Sequence, residues 1–351
     1  MGIKGLQRLL TVTQSTFPYV KYRTKIMAID VNILIYKFSY IYHNSIPLFL
    51  ECFVLKICSF LKFGIFPVFV FDGEAPIEKK HTIKKRYMKK KKCREKLENM
   101  KLITNKTPCI LNYIQRLERQ CFVMTKWHKT SLMNLLDLLH LPYFVAQGEA
   151  EVLCALLQKA EQVHYTLSED TDTFVYGCSR IVRMDRNSER YLIETDLDQF
   201  LESKQLNKDE FLNACVLSGC DYIDKSCNLQ IETCIEYVKR FHTLEKTVME
   251  LKKTRYMHTI EKYRHIKDMY TFKTPCTQKM TVQQEIEGNK IAHALDAFTE
   301  FSDNDTEELT TFLITNEIQT ASIRYLTQYV TNCIGEFLLI RHNFFSRYVR
   351  K

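Results

Sequence analysis

Lys25-Ile26-Met27-Ala28-Ile29-Asp30 is a short apolar run closed by an acid, and Pro67-Val68-Phe69-Val70-Phe71-Asp72 repeats the arrangement. Runs that are apolar on both faces suit central strands of a parallel sheet covered by helices on either side. His164-Tyr165-Thr166-Leu167-Ser168 reads as a third strand, leading directly into Glu169-Asp170-Thr171-Asp172. Between these runs the apolar spacing predicts helices over Val31–Tyr42, Leu48–Phe63 and Ser131–His140. A further helix over Gly148–Ala160 carries Glu149 and Glu151 near its start. Strands alternating with helices predict an α/β fold, with a central, mostly parallel sheet flanked by helices. Ligands bind beyond the carboxyl ends of such strands, so acids placed there converge on one edge however far apart they lie in sequence.

Working outward, Ile181-Val182-Arg183-Met184 and Tyr191-Leu192-Ile193 read as a hairpin joined across Asn187-Ser188. From about Asp196 the pattern is mostly helical to the end, and the polar stretch Glu285–Asn304 contains a loop or linker. The expected organisation is an N-terminal region over 1–105 with a basic segment at 76–100, a region over 106–245 that completes the same domain, and a mostly helical extension over 246–351.

The 351 residues suffice for a substantial core, and 46% are apolar, which argues against wholesale disorder. Thirteen cysteines without a cationic, apolar leader argue against a secreted disulfide scaffold. Cys215, Cys220, Cys227 and Cys234 could suggest zinc, but their spacing matches no usual pattern, and buried reduced thiols are the favoured reading. The start Met1-Gly2 is followed by Leu at position 6, which argues against myristoylation. The apolar stretch Leu48–Phe71 is broken by Glu51, Lys56, Lys62, Gly64 and Pro67, so it reads as helix, turn and strand, with no membrane span.

A single acid at a strand end is usually a cap or a solvated terminus. Here the arrangement recurs, with two close pairs added: Glu149 with Glu151, and Asp170 with Asp172; Asp221 follows Gly219-Cys220. Seven acids at one sheet edge repel unless divalent cations neutralise them. Mg²⁺ suits the role, because it takes oxygen ligands, few direct carboxylates and substrate phosphate. Two such ions about 4 Å apart can activate a water and stabilise the leaving oxygen of a phosphodiester; Mn²⁺ is expected to substitute.

The formal charge is +9, from 50 basic and 41 acidic residues, and its distribution is uneven: eleven of the eighteen residues from Lys79 to Lys96 are Lys or Arg. The ordinary reading is a solvated helix face or a nuclear localisation signal. Its start so soon after Asp72 favours a helix standing over the acidic edge, where Lys79 and Arg86, two helical turns apart, share one face.

The motifs Met1-Gly-Ile-Lys-Gly-Leu6, Ala28-Ile-Asp-Val31, Val70-Phe-Asp-Gly73, Glu149-Ala-Glu151, Glu169-Asp-Thr-Asp172 and Gly219-Cys-Asp-Tyr222 carry a recognisable resemblance. The chain resembles the flap endonuclease/exonuclease-1 family of structure-specific 5′ nucleases over roughly residues 1 to 245, with a weaker echo near Glu308–Val330. The resemblance implies a PIN-like 5′ nuclease fold with a basic helical arch and a helical C-terminal part. It implies two metal ions held by Asp30, Asp72, Glu149, Glu151, Asp170, Asp172 and Asp221, the first four serving mainly one ion and the last three mainly the other. Lys79 and Arg86 would grip the scissile phosphate and, with Asp170, act in catalysis. Gly2, Lys84, Lys85, Lys89 and Lys90 would join them in holding DNA. Tyr36, whose ordinary fate is core packing, would stack on a base beside the cut.

The resemblance also implies a DNA partner with a 5′ flap or junction, a role in replication, repair or recombination, and a monomer acting in the nucleus, a host nucleus for a viral member. Two departures stand out. Where the family carries a glycine-rich hairpin that holds duplex, this chain reads Asp224-Lys-Ser-Cys-Asn-Leu-Gln-Ile-Glu-Thr-Cys234, with Lys225, Lys239 and Arg240 as possible substitutes. Phe344-Phe345 lacks the preceding residues of a sliding-clamp box. Two other readings stay open: an RNA-cleaving endonuclease of the same superfamily, and a catalytically silent DNA-binding scaffold, whose signature would be lost acids.

Overall fold

The run ending at Asp30 forms β2 (Ile26–Asp30), and the run before Asp72 forms β3 (Phe66–Phe71), every residue of which is buried. The computed structural model describes residues 2–41, 46–185, 187–223, 229–250, 257–273 and 290–348. The glycine-free stretch at 224–228, including Lys225 and Cys227, therefore lies outside the described residues.

Seven strands form one sheet in the order β1-β7-β6-β5-β2-β3-β4. Its parallel part comprises β2, β3, β4 (Tyr143–Val145), β5 (Tyr165–Leu167) and β6 (Arg180–Met184). The antiparallel edge is the hairpin β6–β7, with β7 spanning Tyr191–Asp196, extended by β1 (Gln14–Pro18). Neither β1 nor β4 belongs to the apolar runs that mark the central strands. The register sets Asp30 beside Val70, so the acids after β2 and β3 emerge at nearly one level.

Short helices α1 (Leu6–Leu10) and α8 (Asp172–Val175) flank the acidic edge. The longer helices α2 (Val31–Ile41), α3 (Ile46–Lys62), α6 (Lys126–Leu138) and α7 (Ala150–Lys159) match the helical segments of the sequence. Helix α7 packs both ways. Its Leu153, Cys154 and Leu157 enter a core with the central strands, α2, α3 and α6, while Val152, Ala155 and Leu156 enter a second core with α1 and α8. The second core also takes α9 (Leu197–Ser203), α10 (Lys208–Ser218), α11 (Ile231–Phe241), α12 (Leu244–Glu250) and α13 (Met257–Tyr270).

The basic segment forms α4 (Lys80–Lys101), and α5 (Pro108–Cys121) folds back along it with an apolar cluster of its own. A helix over residues 290–298, α14, is followed by a turn at Ser302, which caps α15 (Asp303–Thr315). The last helix, α16 (Thr320–Tyr348), lies along α3. Phe298 and Phe337 pack on Phe66 at the start of β3 and on each other, with ring centroids 5.6, 5.8 and 5.5 Å apart. Among the described residues no helix is long and apolar enough to cross a membrane.

Candidate metal centre and nucleic-acid interface

Each acid has a local reason for its position. Asp30 ends β2, and its Oδ1 accepts from the Asn32 N–H at 3.2 Å, one of the free donors in the first turn of α2. Asp72 follows β3 and accepts from the Ala150 N–H at 2.7 Å and from the Asn32 side chain. Glu149 is the residue before α7, and Glu151 lies in its first turn. Asp170 and Asp172 follow β5, and Ser168 ties the turn, donating to Asp30 Oδ2 and accepting from the Asp170 N–H at 3.1 Å. Asp221 closes the set after α10.

Glu151, Asp170 and Asp172 each bring an oxygen within 4.8 Å of the others' oxygens, and all three are buried. This is the one such acidic, histidine or cysteine group found among the described residues. Glu151 therefore sits with the acids that the resemblance assigns mainly to the second ion, a position between the two groups. Cys215, Cys220 and Cys234 are buried free thiols, and burial raises Cys215 well above, and Cys220 to about 12 from, the usual thiol value.

Glu151 Oε2 and Asp172 Oδ1 are buried with no hydrogen-bond partner. A buried anionic oxygen without a partner is costly, and a site made only of carboxylate oxygens fits a hard divalent cation. The electrostatics agree. Burial, then repulsion from Asp72 and Asp170, raises the Asp30 carboxyl well above its usual range. Burial and neighbouring carboxylates do the same to Glu151 and Asp172.

Basic residues close the site from above. Lys79, at the end of the turn leading into α4, is buried and pairs with Glu149, its Nζ also 3.4 Å from Asp221 Oδ2. Burial opposes the Lys79 charge, but Glu149 and Glu151 outweigh it and hold the ammonium above its ordinary value. Arg86 reaches Asp221 from the next turns, and Thr82 donates to the Asp221 carbonyl at 2.7 Å. Opposite, the N-terminal segment comes close: Gly2 has φ +87°, and a Cβ there would collide with Asp170 Oδ1 and Thr171 Oγ1. Only glycine fits such a position without displacement. The Ile3 N–H fixes the approach on Thr171 Oγ1 at 3.0 Å.

An acid cluster at the ends of parallel strands, roofed by a basic helix, invites comparison with known nucleases. The XPG N-terminal domain matches residues 1–93 and the XPG I-region matches residues 140–221. Flap endonuclease 1-A of Physcomitrium patens is 31% identical over 276 residues, covering 73% of this chain and 68% of its own length. The chain belongs to the flap endonuclease family, the XPG-type structure-specific 5′ nucleases. Its fold is shared by flap endonuclease-1 from Methanococcus jannaschii, with a TM-score of 0.61 at 19% identity over 92% of this chain and 96% of that one. The Holliday junction-resolving enzyme GEN1, solved with product DNA and a Mg²⁺ ion, gives 0.54 at 18% identity over 90% and 78%.

In this chain the seven acids of the family motifs gather at one edge, with Lys79 and Arg86 paired to them. Tyr36 is half exposed beneath the arch, with Phe122 edge-on at 5.8 Å and Lys90 Nζ 5.5 Å from its ring centre. Lys84, Lys85 and Lys89 are exposed along α4. Sequence reasoning missed several supports. Tyr222 donates to Glu149 and is bonded in turn to Tyr176, both buried and held protonated by that burial. Lys129 donates to the Asp72 carbonyl. Tyr222 could have been found from its place beside Asp221; Tyr176 and Lys129 carry no signal in the sequence that separates them from ordinary packing.

The raised carboxyls predict how metal-free protein responds to pH. A carboxyl raised in the folded state contributes stability below the ordinary carboxylate range, and that contribution is lost as pH climbs through the raised values. Chelator-treated protein should therefore melt at a lower temperature at about pH 8 than at about pH 5.5, and Mg²⁺ should narrow the gap. Thermal melts at the two pH values, with and without Mg²⁺, check this.

Proposed function

We propose that this protein hydrolyses DNA phosphodiester bonds at 5′ flaps and 5′ ends near single-strand/duplex junctions, using two Mg²⁺ ions. The observation that carries the reading is the buried Glu151, Asp170 and Asp172 oxygen cluster, with unpartnered Glu151 Oε2 and Asp172 Oδ1, beneath a cationic helix. Asp30, Asp72, Glu149, Glu151, Asp170, Asp172 and Asp221 would hold the ions. When bound, such ions make water a nucleophile and neutralise the leaving oxygen.

The protein's own residues supply the rest. Lys79 and Arg86, now neutralising Glu149 and Asp221, are free to turn to a phosphate once cations take over those acids. Their positive charge then lies where negative charge grows in the transition state, and Asp170 stands beside the cut. Lys84, Lys85, Lys89 and Lys90 bind the single strand's phosphates along the arch. Gly2 brings the N-terminal backbone close to the same place. Tyr36 offers an exposed ring for a base, and stacking tolerates any base, as recognition of structure demands.

The experiment is cleavage of a 5′-flap duplex against a folded RNA of equal length, each with Mg²⁺. Cleavage of the flap near its junction supports the reading, and preference for the RNA would overturn it. Within this reading, Tyr36→Ala should slow flap cleavage about tenfold through lost stacking while leaving the melting temperature nearly unchanged. Equal loss with blunt duplex would count against a stacking role.

A further inference from the structure

The arch is held together by a cluster separate from both main cores: Leu97 of α4 packs on Ile114 and Leu117 of α5. The two helices run antiparallel, with Lys101 paired to Glu118 at 3.0 Å. Cys93 lies one turn before Leu97, and Cys121 one turn after Leu117, so this register sets the cysteines opposite each other. Contacts agree: Cys93 Sγ is 3.6 Å from the Leu117 carbonyl and 3.7 Å from Gln120 Oε1, both in the last turn of α5. Cys93 is among the neighbours that raise the Cys121 thiol. Both are half-buried, within reach of a small reagent. A second thiol pair, Cys58 on α3 and Cys333 on α16, is sealed at 0% and 2% exposure.

We propose that Cys93 and Cys121 form a reversible thiol–disulfide site, oxidised by small disulfides of the glutathione type, that staples α4 to α5 and restricts a strand passing through the arch. The restriction rests on the nuclease reading above; the thiol chemistry does not. One cysteine, as thiolate, attacks glutathione disulfide and releases one glutathione; the other displaces the second and closes the S–S bond. Two protein thiols lose two protons and two electrons, and one glutathione disulfide becomes two glutathiones. Burial, then the neighbouring Cys93, pushes the Cys121 thiol up to about 11, while Arg94 and Lys101 pull the other way. A bridge here would remove freedom from a helix pair joined by the small apolar cluster around Leu97.

The full chain, equilibrated in glutathione buffers from reducing to oxidising, alkylated and peptide-mapped, tests the site. A Cys93–Cys121 cross-link should dominate under oxidising conditions and vanish with dithiothreitol. Oxidised protein should cut a single-stranded 5′ flap about tenfold more slowly, with Cys93→Ser and Cys121→Ser insensitive to the buffer. No cross-link, separate glutathione adducts, or a dominant Cys58–Cys333 bridge would overturn the site. A cross-link with an unchanged rate would overturn the restriction. If reduced protein cut no flap at all, the nuclease reading would fall, and the peptide map would still decide the thiol site.

Discussion

Asp172→Asn should lower the rate of flap cleavage about a thousandfold while making the metal-free protein more stable. Asp172 is buried, its Oδ1 has no partner, and burial followed by repulsion from Asp170 and Asp221 raises its carboxyl well above the usual range. The amide keeps the size, removes a charge from the repelling set and adds N–H donors for neighbouring carboxylates. It is a poor ligand for a hard cation, so the catalytic loss is large. Kinetics on a 5′-flap substrate, beside melting in chelator, measure both effects. Loss of both activity and stability would make Asp172 a structural residue. Gain of stability with retained cleavage would remove it from the ligand set.

Lys79→Ala should lower kcat on flap DNA by roughly 10²–10³-fold, with far less effect on flap binding. Its effect on folding should separate it from Arg86→Ala. Lys79 is buried between Glu149 and Asp221, and removing one partner of a buried pair typically costs about 3–5 kcal/mol. Arg86 is 40% exposed at its side chain, where solvent screens the pair with Asp221, so its loss should barely move the melting temperature. Added Mg²⁺ should restore the stability of Lys79→Ala, because a cation again faces the acids, and should leave kcat low. Equal losses of binding and kcat in both variants would reduce the two residues to general electrostatic capture.

Much of the site was legible because of how a parallel sheet is built. Strands covered on both faces must be apolar throughout, so an acid directly after such a run marks the ligand-binding edge. Asp30, Asp72, Asp170 and Asp172 announce themselves this way, and Glu149 and Glu151 follow from the helix that begins beside them. Lys79 and Arg86 were singled out by the family resemblance, with helical spacing placing them on one face, and both reach Asp221.

The remainder lacked such patterns. β1 is a largely exposed edge strand ending in Pro18, and β4 has only three residues, too few for any period. Helix α5 did carry a signal, with Ile110, Ile114, Leu117 and Cys121 at helical spacing, but the neighbouring lysines dominate that stretch. Tyr176 and Tyr222 are core residues; the Tyr222 hydroxyl reaches Glu149, and the Tyr176 hydroxyl reaches Tyr222, only through contacts between distant segments.

The most direct measurement is a product map of a 5′-flap duplex labelled at either end, incubated with and without Mg²⁺. Metal-dependent flap cleavage predicts release of the flap by cutting within about a nucleotide of the single-strand/duplex junction, and no products in chelator. Cleavage scattered along the duplex, or undiminished cleavage without a divalent cation, would contradict it.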